Sequence, residues 1–161
     1  KRLAQLQAPL LGRTAKARLL SKLTFSGYNR GFAPKHTAYD WLSRDKKIVA
    51  DYIEDPYCGQ TCSVQFYLNL FKGMDEVFAE ISEQSNRKIP FNLPVLLFAG
   101  DEDPVGSGSE GTIRAEEDLL KIGLTDVTRL IYKGGRHEML NETNRYEVYQ
   151  DLLTWLKKRF Y

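Results

Sequence analysis

The sequence predicts an α/β fold with parallel strands, ordered strand, helix, strand, helix behind a helical N-terminal segment. Three observations carry this. Pro94-Val-Leu-Leu-Phe-Ala99 is a continuous apolar run, as expected of a strand covered on both faces. Val127-Thr-Arg-Leu-Ile-Tyr132 is a second short run of strand-forming residues. Residues 109–122 lie between them with a helical period, and a crossover of that length joins parallel neighbours.

Residues 1–23 are basic and rich in leucine, with Leu3, Leu6, Leu10, Leu19 and Leu23 at helical spacings. Pro9 and Gly12 punctuate them, which predicts two short amphipathic helices. Residues 24–60 scatter Phe25, Tyr28, Phe32, Tyr39, Trp41, Tyr52 and Tyr57 among Gly, Pro, Asn and Asp. Local core is the plainer use of such aromatics, and lining an apolar ligand pocket is the second. Asp40-Trp-Leu-Ser-Arg-Asp45 reads as a turn leading into a helix over Lys46–Tyr52. Residues 61–84 carry the strongest helical period, through Val64, Tyr67, Leu68, Phe71, Met74, Phe78 and Ile81, with Thr61 or Ser63 as N-cap. Residues 85–92 read as a polar linker containing Pro90. After the first strand comes a helix over 109–122 with Ile113, Leu119, Leu120 and Ile122 inward, stopped by Gly123. The last helix spans 143–159, with Val148, Leu152, Trp155 and Leu156 on one face. The predicted division is a helical, aromatic-rich segment over 1–60 and an α/β segment over 61–161.

Bulk composition narrows the function classes. Over 161 residues, 42% are hydrophobic and 27% charged, which describes a globular chain. A net charge of +2 argues against nucleic-acid binding driven by phosphate contacts. No apolar run approaches 18 residues, so no transmembrane segment is expected. The basic residues 1–23 read first as a solvated helix face and second as a contact for anionic membrane surfaces. Cys58 and Cys62, with only His36 and His137 available, do not have the spacing of a metal site. They read as free thiols in a reducing cytoplasm, and no metal or cofactor is expected.

The chemistry concentrates after the two strands. Asp103 follows the first and His137 the second, 34 residues later. In open α/β sheets ligands bind beyond the carboxyl ends of the strands, so both residues belong on one rim. A carboxylate there can hold an imidazole in one tautomer while the ring moves a proton. Asp101 competes for the acid's role; Asp103 is preferred because Pro104 restricts the backbone at that turn. Gly134-Gly135 suits a loop that bends sharply before His137. Gly106-Ser-Gly108-Ser-Glu-Gly111 matches G-x-G-x-x-G, but Asp101, Glu102 and Asp103 precede it and oppose a pyrophosphate. No Gly-x-Ser-x-Gly occurs in the chain, and Ser107 and Ser109 lack its setting.

These motifs, Leu93-Pro-Val through Gly100-Asp-Glu-Asp103-Pro-Val-Gly and Gly135-Arg-His137-Glu-Met-Leu-Asn-Glu142, resemble the C-terminal part of monoacylglycerol lipases and lysophospholipases. These are α/β-hydrolases of the serine aminopeptidase S33-like group. Asp40–Asp45 and Asp55-Pro-Tyr-Cys-Gly59 are similar to their cap and the segment after it. The resemblance implies Asp103 as triad acid, His137 as triad base, and residues 1–60 as cap over an acyl pocket. It implies a small or lipid-like carboxylic ester as substrate. Nucleophile and oxyanion hole belong to an N-terminal half that these residues do not contain, so the chain is expected to be a C-terminal fragment, inactive alone. Exposed strand edges then predict self-association or pairing with that half. The competing expectation, from the absent serine, is a non-catalytic binding protein of the same fold.

Overall fold

A computed structural model of the chain describes residues 1–82 and 89–160; the side chains of residues 78, 80–82 and 160 are not described. Residues 83 and 84 of the predicted helix, and 85–88 of the predicted linker, lie outside the described residues, as do the side-chain placements expected for Phe78 and Ile81. The chain forms two compact units, residues 1–27 with 56–88 and residues 28–55 with 89–161. Contacts therefore group residues 28–55 with the strands, whereas the sequence division set them with residues 1–27.

The first unit contains α1 (Arg2–Leu11), α2 (Arg18–Phe25) and α4 (Val64–Ser82). Pro9 falls in the last turn of α1, and the helix runs past it to end at Gly12, whose φ of 85° favours glycine. Ser63 caps α4, its Oγ accepting from Phe66 N at 3.2 Å. Ala4, Ala17, Leu20, Val64 and Tyr67 form the core. Main-chain bonds from Ala17 N to Cys62 O (2.9 Å) and from Val64 N to Ala15 O (3.0 Å) tie the entry of α2 to that of α4. Leu6, Leu10, Leu19 and Leu23 stay exposed on this unit. Among the described residues, no helix is long and apolar enough to cross a membrane.

The second unit holds α3 (Lys46–Glu54), β1 (Val95–Gly100), α5 (Glu110–Lys121), β2 (Val127–Tyr132), a 3-10 turn (Met139–Asn141) and α6 (Arg145–Phe160). Asp45 caps α3 by accepting from Lys47 N at 3.0 Å. β1 and β2 pair in parallel from Val95↔Val127 to Gly100↔Tyr132, so both strands end at the same level. That shared end positions the site. Phe98, Leu130 and Leu152 pack on a core of Tyr132, Met139 and Val148. Five of the scattered aromatics, Tyr28, Phe32, Tyr39, Trp41 and Tyr52, gather with Leu42 into a second core, which is the local-core use. Phe25 and Tyr57 belong to the other unit and are exposed.

Two inward placements do not hold. Leu120 is 49% exposed, while Ile122 is buried. Neighbouring residues on a helix point about 100° apart, so Leu119 and Leu120 cannot both face the sheet. Leu156 is 42% exposed. Its neighbour Trp155 turns to the sheet instead, Nε1 donating to Thr128 Oγ1 of β2 at 3.1 Å, and adjacent helical residues point about 100° apart. The last turn of α6 is clipped to the start of β2, with Arg159 Nε 2.8 Å from Asp126 Oδ2 and the guanidinium over the Trp155 ring.

Candidate active site

The ends of β1 and β2 continue into loops bonded to each other. Asp101 N donates to Tyr132 O at 3.1 Å, and Glu102 N to Gly135 O at 2.9 Å. Asp101 Oδ1 accepts from Gly134 N at 2.6 Å, so this carboxylate is spent joining the two loops. Asp103 turns the other way. Its Oδ2 lies 3.0 Å from His137 Nδ1 and its Oδ1 3.1 Å from the same nitrogen. Asp103 Oδ1 also accepts from Val105 N at 2.9 Å, which orients the carboxylate. The loop is tightened by Gly108 N donating to Asp103 O at 2.7 Å.

Asp103 is buried, whereas the His137 side chain keeps 37% of its exposure. A carboxylate on Nδ1 selects the tautomer with its proton there, leaving Nε2 as the basic nitrogen. Nε2 has no hydrogen-bond partner among the described residues. Trp41 flanks the ring with centroids 5.1 Å apart, and Trp41 O accepts from His137 N at 3.3 Å. The bond to Asp103 raises the His137 pKa above its ordinary value, partial burial opposes this, and the charges of Asp103 and Glu138 add to the rise.

This has a consequence for stability. A pKa higher folded than unfolded means that the folded chain holds the proton more tightly. The stabilisation is complete below the unfolded value of about 6.5 and is lost as pH rises through the folded pKa. We expect the stability advantage over a His137→Asn variant to be complete below about pH 6.5 and to shrink as pH rises above it. Urea unfolding of both proteins at several pH values measures it, and a flat difference counts against the pairing.

The glycine-rich loop is occupied with its own geometry. Gly111 N donates to Gly106 O at 2.8 Å, and Ser107 and Gly108 take φ of 54° and 69°. Two N–H groups that a phosphate would need, those of Gly108 and Gly111, are thus engaged within the loop. Among the described residues no three His, Cys, Asp or Glu side chains are grouped to hold a metal ion. Cys58 and Cys62 form no disulfide. A cavity of about 410 Å³ opens among Phe32, Pro34, His36, Arg44, Val49 and Arg136, but neither Asp103 nor His137 lines it.

Sequence reasoning missed a buried charge beside the site. Glu142 is fully buried, with Arg44 Nε 2.9 Å from its Oε2. The partners lie 98 residues apart, and no local spacing announces such a pair.

Comparison with known proteins agrees with this architecture. A carboxyl esterase from Bacillus coagulans, solved in complex with glycerol, superposes with a TM-score of 0.78 at 27% identity. That match covers 98% of this chain and 51% of the esterase. A lipase in its open form gives 0.73 at 27% identity, with the same two coverages of 98% and 51%. A monoacylglycerol lipase from Paleococcus ferrophilus gives 0.59 at 25% identity, over 89% of this chain and 55% of the lipase. The chain thus spans about half the length of each of these solved structures. Their likeness makes the βαβα unit part of an α/β-hydrolase fold. Residues 1–144 match the family described as serine aminopeptidase, S33, and the chain belongs to that family.

Proposed function

We propose that this chain supplies the acid and base of a serine hydrolase acting on carboxylic esters of lipid-like or small alcohols. The observation that carries the reading is the His137–Asp103 pair. It is 3.0 Å long, stands where two parallel neighbours end, and leaves Nε2 open for a hydroxyl.

In this mechanism Nε2 takes the proton of a serine hydroxyl as its oxygen bonds to the ester carbonyl carbon. Asp103 holds the Nδ1 proton and stabilises the imidazolium. The imidazolium then gives its proton to the departing alcohol, leaving an acyl-serine. Water attacks the acyl carbon with its proton passing to Nε2, and the acid leaves as the serine regains a proton. Serine and oxyanion donors come from residues outside these 161, so the chain by itself is inactive. Its natural partner is the segment that completes the sheet, which has two strands among the described residues; without that segment the open edges favour self-association. The resemblance makes residues 1–60 the cap segment, and its many aromatics favour an apolar substrate. The relatives named esterase, lipase and monoacylglycerol lipase support an ester over a peptide.

The test is a fluorophosphonate probe on a protein in which this chain is joined to the nucleophile-bearing segment. Labelling is expected, and His137→Ala should slow it by about a thousandfold or more. Undiminished labelling would count against His137 as base. The second reading, a binding protein without catalysis, follows from the absent Gly-x-Ser-x-Gly. Coding sequence upstream that lacks this motif in frame would favour it.

A further inference from the structure

Two chain segments meet around Glu142. Its Oε1 accepts from Arg44 N at 3.0 Å and from Arg136 N at 3.1 Å. Its Oε2 accepts from Arg44 Nε at 2.9 Å, Thr143 N at 2.8 Å and Thr143 Oγ1 at 3.3 Å. Burial pushes the Glu142 pKa up, but the N–H groups of Thr143 and Arg44, the Arg44 guanidinium and Arg136 N outweigh it and hold the carboxyl below its ordinary range.

The donors are not arbitrary. Arg136 immediately precedes His137, and Arg44 closes the segment 41–44 whose carbonyls carry the histidine loop. Trp41 O accepts from His137 N at 3.3 Å and Leu42 O from Glu138 N at 2.9 Å. Ser43 Oγ donates to Asn141 O at 2.9 Å, and the Arg136 guanidinium donates to Ser43 O at 3.2 Å. One carboxylate therefore closes a ring of bonds between residues 41–44 and 136–142, with the imidazole mounted on it.

We propose that Glu142 is a positioning residue for His137, holding Arg136 and Arg44 together so that the imidazole stays against Asp103 and Trp41. The proposal rests on reading His137 as the functional base. Glutamine is a poor substitute despite its shape. Each carboxylate oxygen faces at least two donors, so an amide NH₂ in either place opposes them and loses their bonds. Glu142→Asp keeps the negative charge while shortening its reach, so a change at His137 in that variant travels through position.

The experiment reads the ring and not hydrolysis, so it can fail without the ester-hydrolase reading failing, and the reverse. The His137 ring is titrated by NMR in wild type, Glu142→Gln and Glu142→Asp, below each variant's melting range. The raised His137 pKa is expected to fall toward about 6.5 in Glu142→Gln and part of the way in Glu142→Asp. Lost thermal stability with an unchanged His137 titration would overturn the proposal and leave Glu142 a purely structural ion-pair partner. Amide hydrogen exchange on the wild-type chain supplies a measurement independent of the variants. His137 and Glu138 amides should share the protection of Arg44 and Arg136 amides, since one opening releases all four. Fast exchange at His137 and Glu138 beside slow exchange at Arg44 and Arg136 would also overturn it.

Discussion

Asp103→Asn should lower kcat on an ester by about 10⁴-fold with little change in KM, measured where the nucleophile is present. The reason is local. Asp103 Oδ1 accepts from Val105 N at 2.9 Å, and Oδ2 faces His137 Nδ1 at 3.0 Å. An asparagine keeps the Val105 bond only by turning its carbonyl there, which aims its NH₂ at Nδ1. Bonding to that NH₂, which stands at the nearer of the two oxygen positions, makes the ring accept at Nδ1 and carry its proton on Nε2, the nitrogen that has to receive the serine proton. Substrate contacts are untouched, so binding survives and proton transfer does not. Ring ¹⁵N shifts would report the exchanged tautomer directly. Asp101→Asn is the matched control. Its Oδ1 accepts from Gly134 N at 2.6 Å, a bond that an amide carbonyl can keep, so a loss under about tenfold is expected. A similar fall in both variants, or a fall under tenfold in Asp103→Asn, would remove Asp103 from the acid's role.

That contrast also shows how far the sequence speaks. Pairing Asp103 with His137 needed only strand ends and loop residues, both local properties of the chain. The runs of strand-forming residues at 94–99 and 127–132 announced β1 and β2 because that preference is written in consecutive residues. What stayed hidden depends on partners distant in sequence. Glu142 and Arg44 are 98 residues apart, and each reads alone as an ordinary surface charge. The orientations of Leu120 and Leu156 failed for a related reason. Helical period lists the apolar residues of a helix, but the angle of each around the axis decides which of two neighbours the sheet covers. The grouping of residues 28–55 with β1 and β2 was likewise invisible, since it follows from Trp41 and Leu42 carbonyls meeting a loop almost a hundred residues away.

The second large effect is on the fold itself. Gly100→Ala should destabilise the protein by about 3 kcal/mol, at the upper end of overpacking changes. Gly100 ends β1 opposite Tyr132, and a Cβ built there falls 2.0 Å from Gly135 O and 2.7 Å from Arg136 O. Both obstacles are backbone, so no side chain can swing aside. Gly135 cannot retreat easily either, because its own open face is filled by Met139 Sδ, 2.5 Å from where a Cβ would stand. The contact lies between the strand leading to Asp103 and the loop leading to His137, so spreading it should also part the carboxylate from the ring. Gly73→Ala is the internal comparison. That glycine sits inside α4 with nothing within 4 Å of a built Cβ, and alanine there should stabilise by about 0.5–1 kcal/mol through helix propensity. Urea unfolding of the two variants should move the midpoint in opposite directions. If Gly100→Ala unfolds with the wild type, the strand end and the histidine loop are not in close backbone contact, and the short path between Asp103 and His137 loses its support.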